Sequence, residues 1–147
     1  KNGAAVKFDE SDVRTMGRTA TGVRGIKLEK NDEVIGMESG TNDDDTLLTI
    51  TENGYGKRSL ISEYRLIRRG GKGVINIKTS ARNGKVVAIK TVKDDHELMC
   101  ITKKGILIRF SVGDIHVIGR NTQGVRMMKI DPSDKVINLA RIINNKH

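Results

Sequence analysis

Three short loops carry the residue types that could do chemistry: Gly17-Arg18-Thr19-Ala20-Thr21-Gly22, Arg68-Arg69-Gly70-Gly71-Lys72-Gly73 and Gly119-Arg120-Asn121-Thr122-Gln123-Gly124. Arginine offers a forked, permanently charged donor. Glycines let backbone amides approach an anion closely, and hydroxyls and amides can bond its oxygens. The chemistry implied is the holding of phosphate. A Walker loop would need Gly-Lys followed by Ser or Thr, whereas Gly71-Lys72 precedes Gly73 and Gly56-Lys57 precedes Arg58, which disfavours a nucleotide. Candidates for catalysis are poor. His96, His116 and His147 are scattered with no Cys or carboxylate at ligand spacing. Asp43-Asp44-Asp45 could suggest a cation, but Asp94-Asp95-His96 occupies the equivalent place before an equivalent strand, which reads as a turn. Cys100 reads as a packed strand residue, and Met127 and Met128 as core filler. No catalytic residue, metal or cofactor is expected.

The loops recur because the chain repeats itself. Gly22, Gly73 and Gly124 stand 51 residues apart, each followed by Val, and Gly3, Gly54 and Gly105 share that register. So do Ser11-Asp12-Val13, Ser62-Glu63-Tyr64 and Gly113-Asp114-Ile115. Three copies fill the chain, over 1–51, 52–102 and 103–147. A residue recurring at this period occupies the same place in each copy, so the repeat shows which charges the architecture keeps in register. Four basic columns emerge: Lys7, Arg58 and Arg109; Arg14, Arg65 and His116; Arg18, Arg69 and Arg120; Lys27, Lys78 and Lys129. Along one curved edge, such columns would track the phosphates of a bent duplex.

What must position them is a set of short strands. Apolar residues alternate over five to seven positions between glycine- and Asn/Asp-rich turns. The first strand of each copy is expected at Ala4 to Phe8, Tyr55 to Leu60 and Ile106 to Phe110; the second at Val23 to Leu28, Val74 to Thr79 and Val125 to Ile130. The third falls at Val34 to Glu38, Val86 to Val92 and Val136 to Ile142. The fourth, at Thr46 to Thr51 and Glu97 to Thr102, turns back through Asn53-Gly54 and Lys104-Gly105, where glycine supplies the positive φ of a tight hairpin. A one-residue insertion at Arg82-Asn83-Gly84 shifts the third strand of the middle copy. Four-stranded units of this length point to an all-β, propeller-like array of antiparallel blades. Three blades do not close a ring, so an arc of a larger disc is expected, with open blade edges that invite self-association.

Charge supports a polyanionic partner: 27 Lys and Arg against 18 Asp and Glu give +9 over 147 residues. Only 3% of residues are aromatic and none is Trp, too few for a platform stacking single-stranded bases, so duplex is the expected nucleic acid. No run of ~18 apolar residues is present, so no membrane-spanning helix is expected. One cysteine agrees with a reducing compartment, the cytoplasm.

Ile67-Arg68-Arg69-Gly70-Gly71-Lys72-Gly73 is similar to the Gln-Arg-Arg-Gly-Gly-Lys-Gly "gyrase box", and Ile118-Gly119-Arg120-Asn121-Thr122-Gln123-Gly124-Val125 looks like the final-repeat motif of the same family. Along essentially its whole length, including Thr51-Glu52-Asn53-Gly54-Tyr55-Gly56-Lys57-Arg58, the chain resembles the C-terminal domain of bacterial DNA gyrase A. The resemblance implies a β-pinwheel, a six-bladed disc that wraps duplex DNA around a basic rim so that strand passage introduces negative supercoils. It also implies a bacterial cytoplasmic setting at the nucleoid and, as partners, gyrase B and the rest of gyrase A. Carried over residue by residue, the box falls on Arg68, Arg69, Gly70, Gly71, Lys72 and Gly73. Ile67 departs from the box's Gln. The full box belongs to a first blade, so the chain is expected to hold the last three blades. The family's cleavage tyrosine follows an Arg, whereas Tyr55 follows Gly54 and Tyr64 follows Glu63, so neither is expected to cut DNA. Two alternatives share the architecture: a scaffold for an acidic protein, and the equivalent domain of topoisomerase IV.

Overall fold

The computed structural model describes residues 1–40 and 42–142; His147 lies outside them. The described residues form nine strands and three single 3₁₀ turns. The strands are β1 (Ala4–Ala5), β2 (Thr46–Thr51), β3 (Tyr55–Leu60), β4 (Val74–Ile75), β5 (Val86–Val92), β6 (Glu97–Thr102), β7 (Leu107–Ser111), β8 (Val125–Arg126) and β9 (Val136–Ile142). All ladders between them are antiparallel. The 51-residue period is visible in the backbone. The 3₁₀ turns begin at Glu10, Ile61 and Val112, and the β-bulges fall after Ile50 and after Ile101. Both glycine columns adopt positive φ: +96°, +82° and +85° at Gly3, Gly54 and Gly105, and +80°, +79° and +76° at Gly22, Gly73 and Gly124.

The strands pair across copies rather than within them. One sheet has the order β5-β2-β3-β8, a second has β7-β6-β9, and β1 pairs with β4. In the complete four-stranded sheet, β2 comes from the first copy, β3 and β5 from the second, and β8 from the third. The rule is constant: a second strand closes the outer edge of the preceding copy's first strand, as β4 does for β1 and β8 for β3.

That rule explains where the expected strands fail. Val23 to Leu28 and Val34 to Glu38 are not strands: unlike β4 and β5, their counterparts in the second copy, they are laddered to no partner strand among the described residues. A strand without a ladder has nowhere to place its amides and carbonyls except water. The second strands are also shorter than their apolar patterns suggest. After two residues the chain curls around the hairpin glycine: Asn76 and Ile77 both donate to Gly3 O, and Met127 and Met128 both donate to Gly54 O.

The main apolar core lies between the four-stranded and three-stranded sheets. It joins Leu48 and Ile50 of β2, Val92 of β5, Leu98 and Cys100 of β6, and Val136 and Leu139 of β9, with Val112, Ile115 and Met128. Burial pushes the Cys100 thiol up to about 12, so it is a packed neutral group. At the equivalent place one copy earlier the packing is polar. Asn76 donates to Thr49 Oγ1 at 2.9 Å and meets the Tyr64 hydroxyl, all three being buried. One period on, these positions are Cys100, Met127 and Ile115. β5, at one edge of the four-stranded sheet, contacts β9, at one edge of the three-stranded sheet. The opposite edge of the four-stranded sheet, which β8 closes, is the rim.

Candidate nucleic-acid interface

The middle and third Arg- and Gly-bearing loops each lie over the outer edge of the preceding copy's first strand. Before the middle loop, Leu66 bridges Lys7 in parallel and Ile67 N–H donates to Lys7 O at 2.9 Å; before the third loop, Val117 bridges Arg58 and Ile118 N–H donates to Arg58 O at 2.8 Å. The chain then reverses into β4 or β8. Gly73 and Gly124 stand at this reversal, where positive φ is required and no room for a side chain exists. A Cβ on Gly124 would lie 2.6 Å from Gly56 O, and one on Gly73 would collide with Ala5 O.

On its far side each loop is gripped by the preceding copy's second segment. Lys27 N–H donates to Gly71 O at 2.8 Å, and one period later Lys78 N–H donates to Thr122 O at 2.8 Å. Arg69 Nη1 reaches Arg24 O at 3.1 Å, and Arg120 Nη1 reaches Ile75 O, the same position one period on. Arg69 Nε also donates to Asp12 O at 2.9 Å. The recurring Arg thus spends part of its fork tying neighbouring copies together, a structural role that the sequence alone did not disclose. These contacts bring together cations from different copies: Lys27 joins Arg68, Arg69 and Lys72 on one rim segment, and Lys78 joins Arg120 on the next.

The four columns therefore divide. Lys7, Arg58 and Arg109 face carboxylates. Lys7 Nζ lies 3.4 Å from Asp43, Arg58 Nη2 lies 2.6 Å from Asp94, and Arg109 pairs with Glu97. Asp43 and Asp94 are themselves one period apart, so the acidic turns meet Lys7 and Arg58, while Arg109 is met by Glu97 of β6. Arg58 is 6% exposed and also donates to Val112 O, which takes it out of the solvent-facing set expected from sequence. In contrast, Arg14, Arg65 and His116, Arg18, Lys27, Lys78 and Lys129 are exposed, as are Arg68 and Lys72. Among the described residues none of these basic side chains has a carboxylate partner. Gly70 and Gly71 are half-buried beside them, the Gly70 N–H donating to Gly25 O at 2.6 Å and Gly71 O accepting from Lys27 N–H.

Two features escaped the repeat because they do not recur. Lys57, between Val6 and Ile108 in its column, is fully buried. Its ammonium donates to Gly119 O at 3.0 Å, to Arg120 O, and to Thr122 Oγ1 at 3.4 Å, so it pins the third loop from beneath. Burial holds its pKa down to about 8, with Glu63 opposing and Arg120 adding to the shift. The second feature is Tyr55 with Arg82 and Arg126. The only sequence signal for Lys57 was a lysine in mid-strand; for the Tyr55 group there was none.

A strand-exchanged array of short antiparallel sheets defines a β-propeller-like protein. The family model for the DNA gyrase C-terminal domain, beta-propeller, matches residues 1–39, 45–93 and 96–143, and the chain belongs to that family. It is 45% identical over 138 residues to the DNA gyrase A protein of Staphylococcus epidermidis and, equally, to that of Staphylococcus aureus, covering 93% of this chain and 16% of the length of those relatives. A solved DNA gyrase A C-terminal domain superposes with a TM-score of 0.89 at 30% identity, over 97% of this chain and 48% of that one. The C-terminal domain of DNA topoisomerase IV matches with a TM-score of 0.89 at 25% identity, over 96% of this chain and 44% of that one.

Proposed function

We propose that this chain binds and bends duplex DNA along its basic rim, without preference for sequence, as a non-catalytic part of a type II topoisomerase that introduces negative supercoils. The observation that carries the reading is the convergence of uncompensated cations at each copy junction: Lys27 with Arg68 and Lys72, then Lys78 with Arg120. These groups suit phosphate oxygens, and no recognition helix is present among the described residues to read base edges. The gyrase A relatives support the same reading and point, as partners, to gyrase B and the rest of a gyrase A protein, in the bacterial cytoplasm at the nucleoid. The three copies, 1–51, 52–102 and 103–147, act as one continuous binding arc.

Binding to mixed-sequence duplex measured over a range of salt tests this. With ~4 to 6 phosphates neutralised, the log-log slope is expected at about −4 to −5. Arg68→Gln and Lys72→Gln should each flatten it by roughly one while leaving stability within about 0.5 kcal/mol. Salt-independent affinity, or strong preference for one sequence, would overturn the reading and favour an acidic protein partner.

A further inference from the structure

Tyr55 is 5% exposed at the start of β3, and its phenol oxygen is shared by two arginines from different copies. Arg82 Nε donates to Tyr55 Oη at 3.2 Å and Arg126 Nη2 at 3.1 Å. Their guanidinium carbons lie 5.2 and 5.5 Å from the ring centroid, so both stack on the ring as cation–π partners. Both arginines are exposed, and among the described residues neither forms an ion pair with a carboxylate. Two like charges are therefore drawn to one neutral atom with nothing to offset them. Such a site costs electrostatic energy when empty and gains it when an anion arrives. The same two hydrogen bonds hold the Tyr55 hydroxyl below its ordinary pKa, Arg82 contributing first.

The mounting is rigid. Arg82 sits in a turn whose Asn83, 1% exposed, donates to Lys78 O at 2.8 Å and Gln123 O at 3.0 Å. Asn53 Nδ2 donates to Ala81 O and to Arg82 O. Arg126 is fixed by its pairing with Tyr55 across the β3–β8 ladder. Through Gln123 and Lys78 the cluster is continuous with the rim segment that carries Lys78 and Arg120. Each guanidinium retains N–H donors beyond the one spent on the phenol, in a fork suited to phosphate oxygens.

We infer that Arg82 and Arg126, aimed by the Tyr55 hydroxyl, form a clamp for one backbone phosphate of the same duplex that the rim loops hold. The inference rests on the DNA-binding reading above. The 51-residue period gave little sign of it: Arg126 aligns with Ile75 and Arg24, but Tyr55 aligns with Ala4 and Ile106.

The test uses the protein as the cell makes it, with mixed-sequence duplex as the probe and circular dichroism to confirm folding. The double variant Arg82→Gln/Arg126→Gln is expected to flatten the salt slope by about one and to weaken binding roughly five- to tenfold at 0.1 M salt. The double variant Arg82→Lys/Arg126→Lys should restore most of the slope. A Gln double variant that melts earlier but keeps the parental slope would overturn the clamp, leaving the arginines as a staple for the 80–84 turn. If Arg68→Gln and Lys72→Gln flatten the slope while the Gln double variant does not, this site fails and the rim reading stands. If the parent's slope is flat, both fail. Polyglutamate held more tightly than duplex by the parent, and released by the Gln double variant, would overturn the assignment to DNA.

Discussion

Replacing Lys57 by methionine separates the cost of its buried charge from the value of its hydrogen bonds. The folded pKa is about 8 against 10.5 for an unburied lysine. Below pH 8 the group is protonated in both states, and folding carries the full desolvation cost. That interval corresponds to about 3 kcal/mol at roughly 1.4 kcal/mol per pH unit. Between pH 8 and 10.5 the folded protein has released a proton that the unfolded chain still holds, so stability rises with pH; above 10.5 the gain is complete. Methionine keeps the length of the stem and removes the charge. It also leaves Gly119 O, Arg120 O and Thr122 Oγ1 to a loop surface that water reaches, each lost charge-assisted bond costing about 1.5 to 3 kcal/mol at most. At pH 7 the three lost bonds outweigh the relief, and Lys57→Met is expected to be less stable than the parent by roughly 2 to 6 kcal/mol. The informative quantity is the difference between the two proteins, because other titrating groups cancel in it. Urea unfolding at 25 °C from pH 7 to 10.5 should show that difference moving in the parent's favour by about 3 kcal/mol. A difference that stays constant, or moves against the parent as pH rises, would refute the reasoning by showing that the three acceptors, rather than burial, set the proton affinity.

Two further outcomes follow from the copies being alike in sequence but unequal in surroundings. Gly22 and Gly124 share a positive φ, but a Cβ at Gly22 meets nothing within 4 Å whereas one at Gly124 meets Gly56 O at 2.6 Å. Gly22→Ala should cost about 1 to 2 kcal/mol and Gly124→Ala at least about 3, measured by chemical denaturation; equal costs would show that backbone strain alone decides. Asp94→Asn leaves Arg58, 6% exposed, without its counter-ion and should cost about 2 kcal/mol, while Asp43→Asn, facing the more open Lys7, should cost within about 0.5. Indistinguishable melting temperatures for the two variants would remove the case that Arg58 is a buried, paired charge.

What repeats in the chain was legible in it, and what depends on a neighbour was not. The glycine columns announced their positive φ, since only glycine serves at Gly54 or Gly73 without strain. Apolar alternation marked Thr46–Thr51, Val86–Val92 and Glu97–Thr102 because each is laddered on both sides or packed into the core. The same alternation at Val23 to Leu28 carried equal weight in sequence and produced no strand, because a ladder needs a partner as well as a pattern. At the site, the Gly- and Arg-bearing loops were found through their spacing. That spacing could not show that Arg69 and Arg120 hold neighbouring backbones, or that the Lys7, Arg58 and Arg109 column is met by acids. Lys57 and the Tyr55 cluster escaped for the opposite reason: each occurs once, and a search for periodicity passes over what happens once.

The exchange of strands between copies has a consequence for how the protein is made. The outer edge of β3 is closed by β8 and by Val117 and Ile118, all from the third copy, and Tyr55 must wait for Arg126, 71 residues later. At bacterial elongation speeds of about 5 to 20 residues per second, that edge stays open for roughly 4 to 14 s after it leaves the ribosome. During this interval its unpaired amides and carbonyls can accept any passing strand, including that of a sister chain on the same polysome. The edges of β1 and β3 are thus finished by sequence that has yet to be translated, and a ribosome stalled before Val125 would hold a chain whose β3 edge is still unsealed.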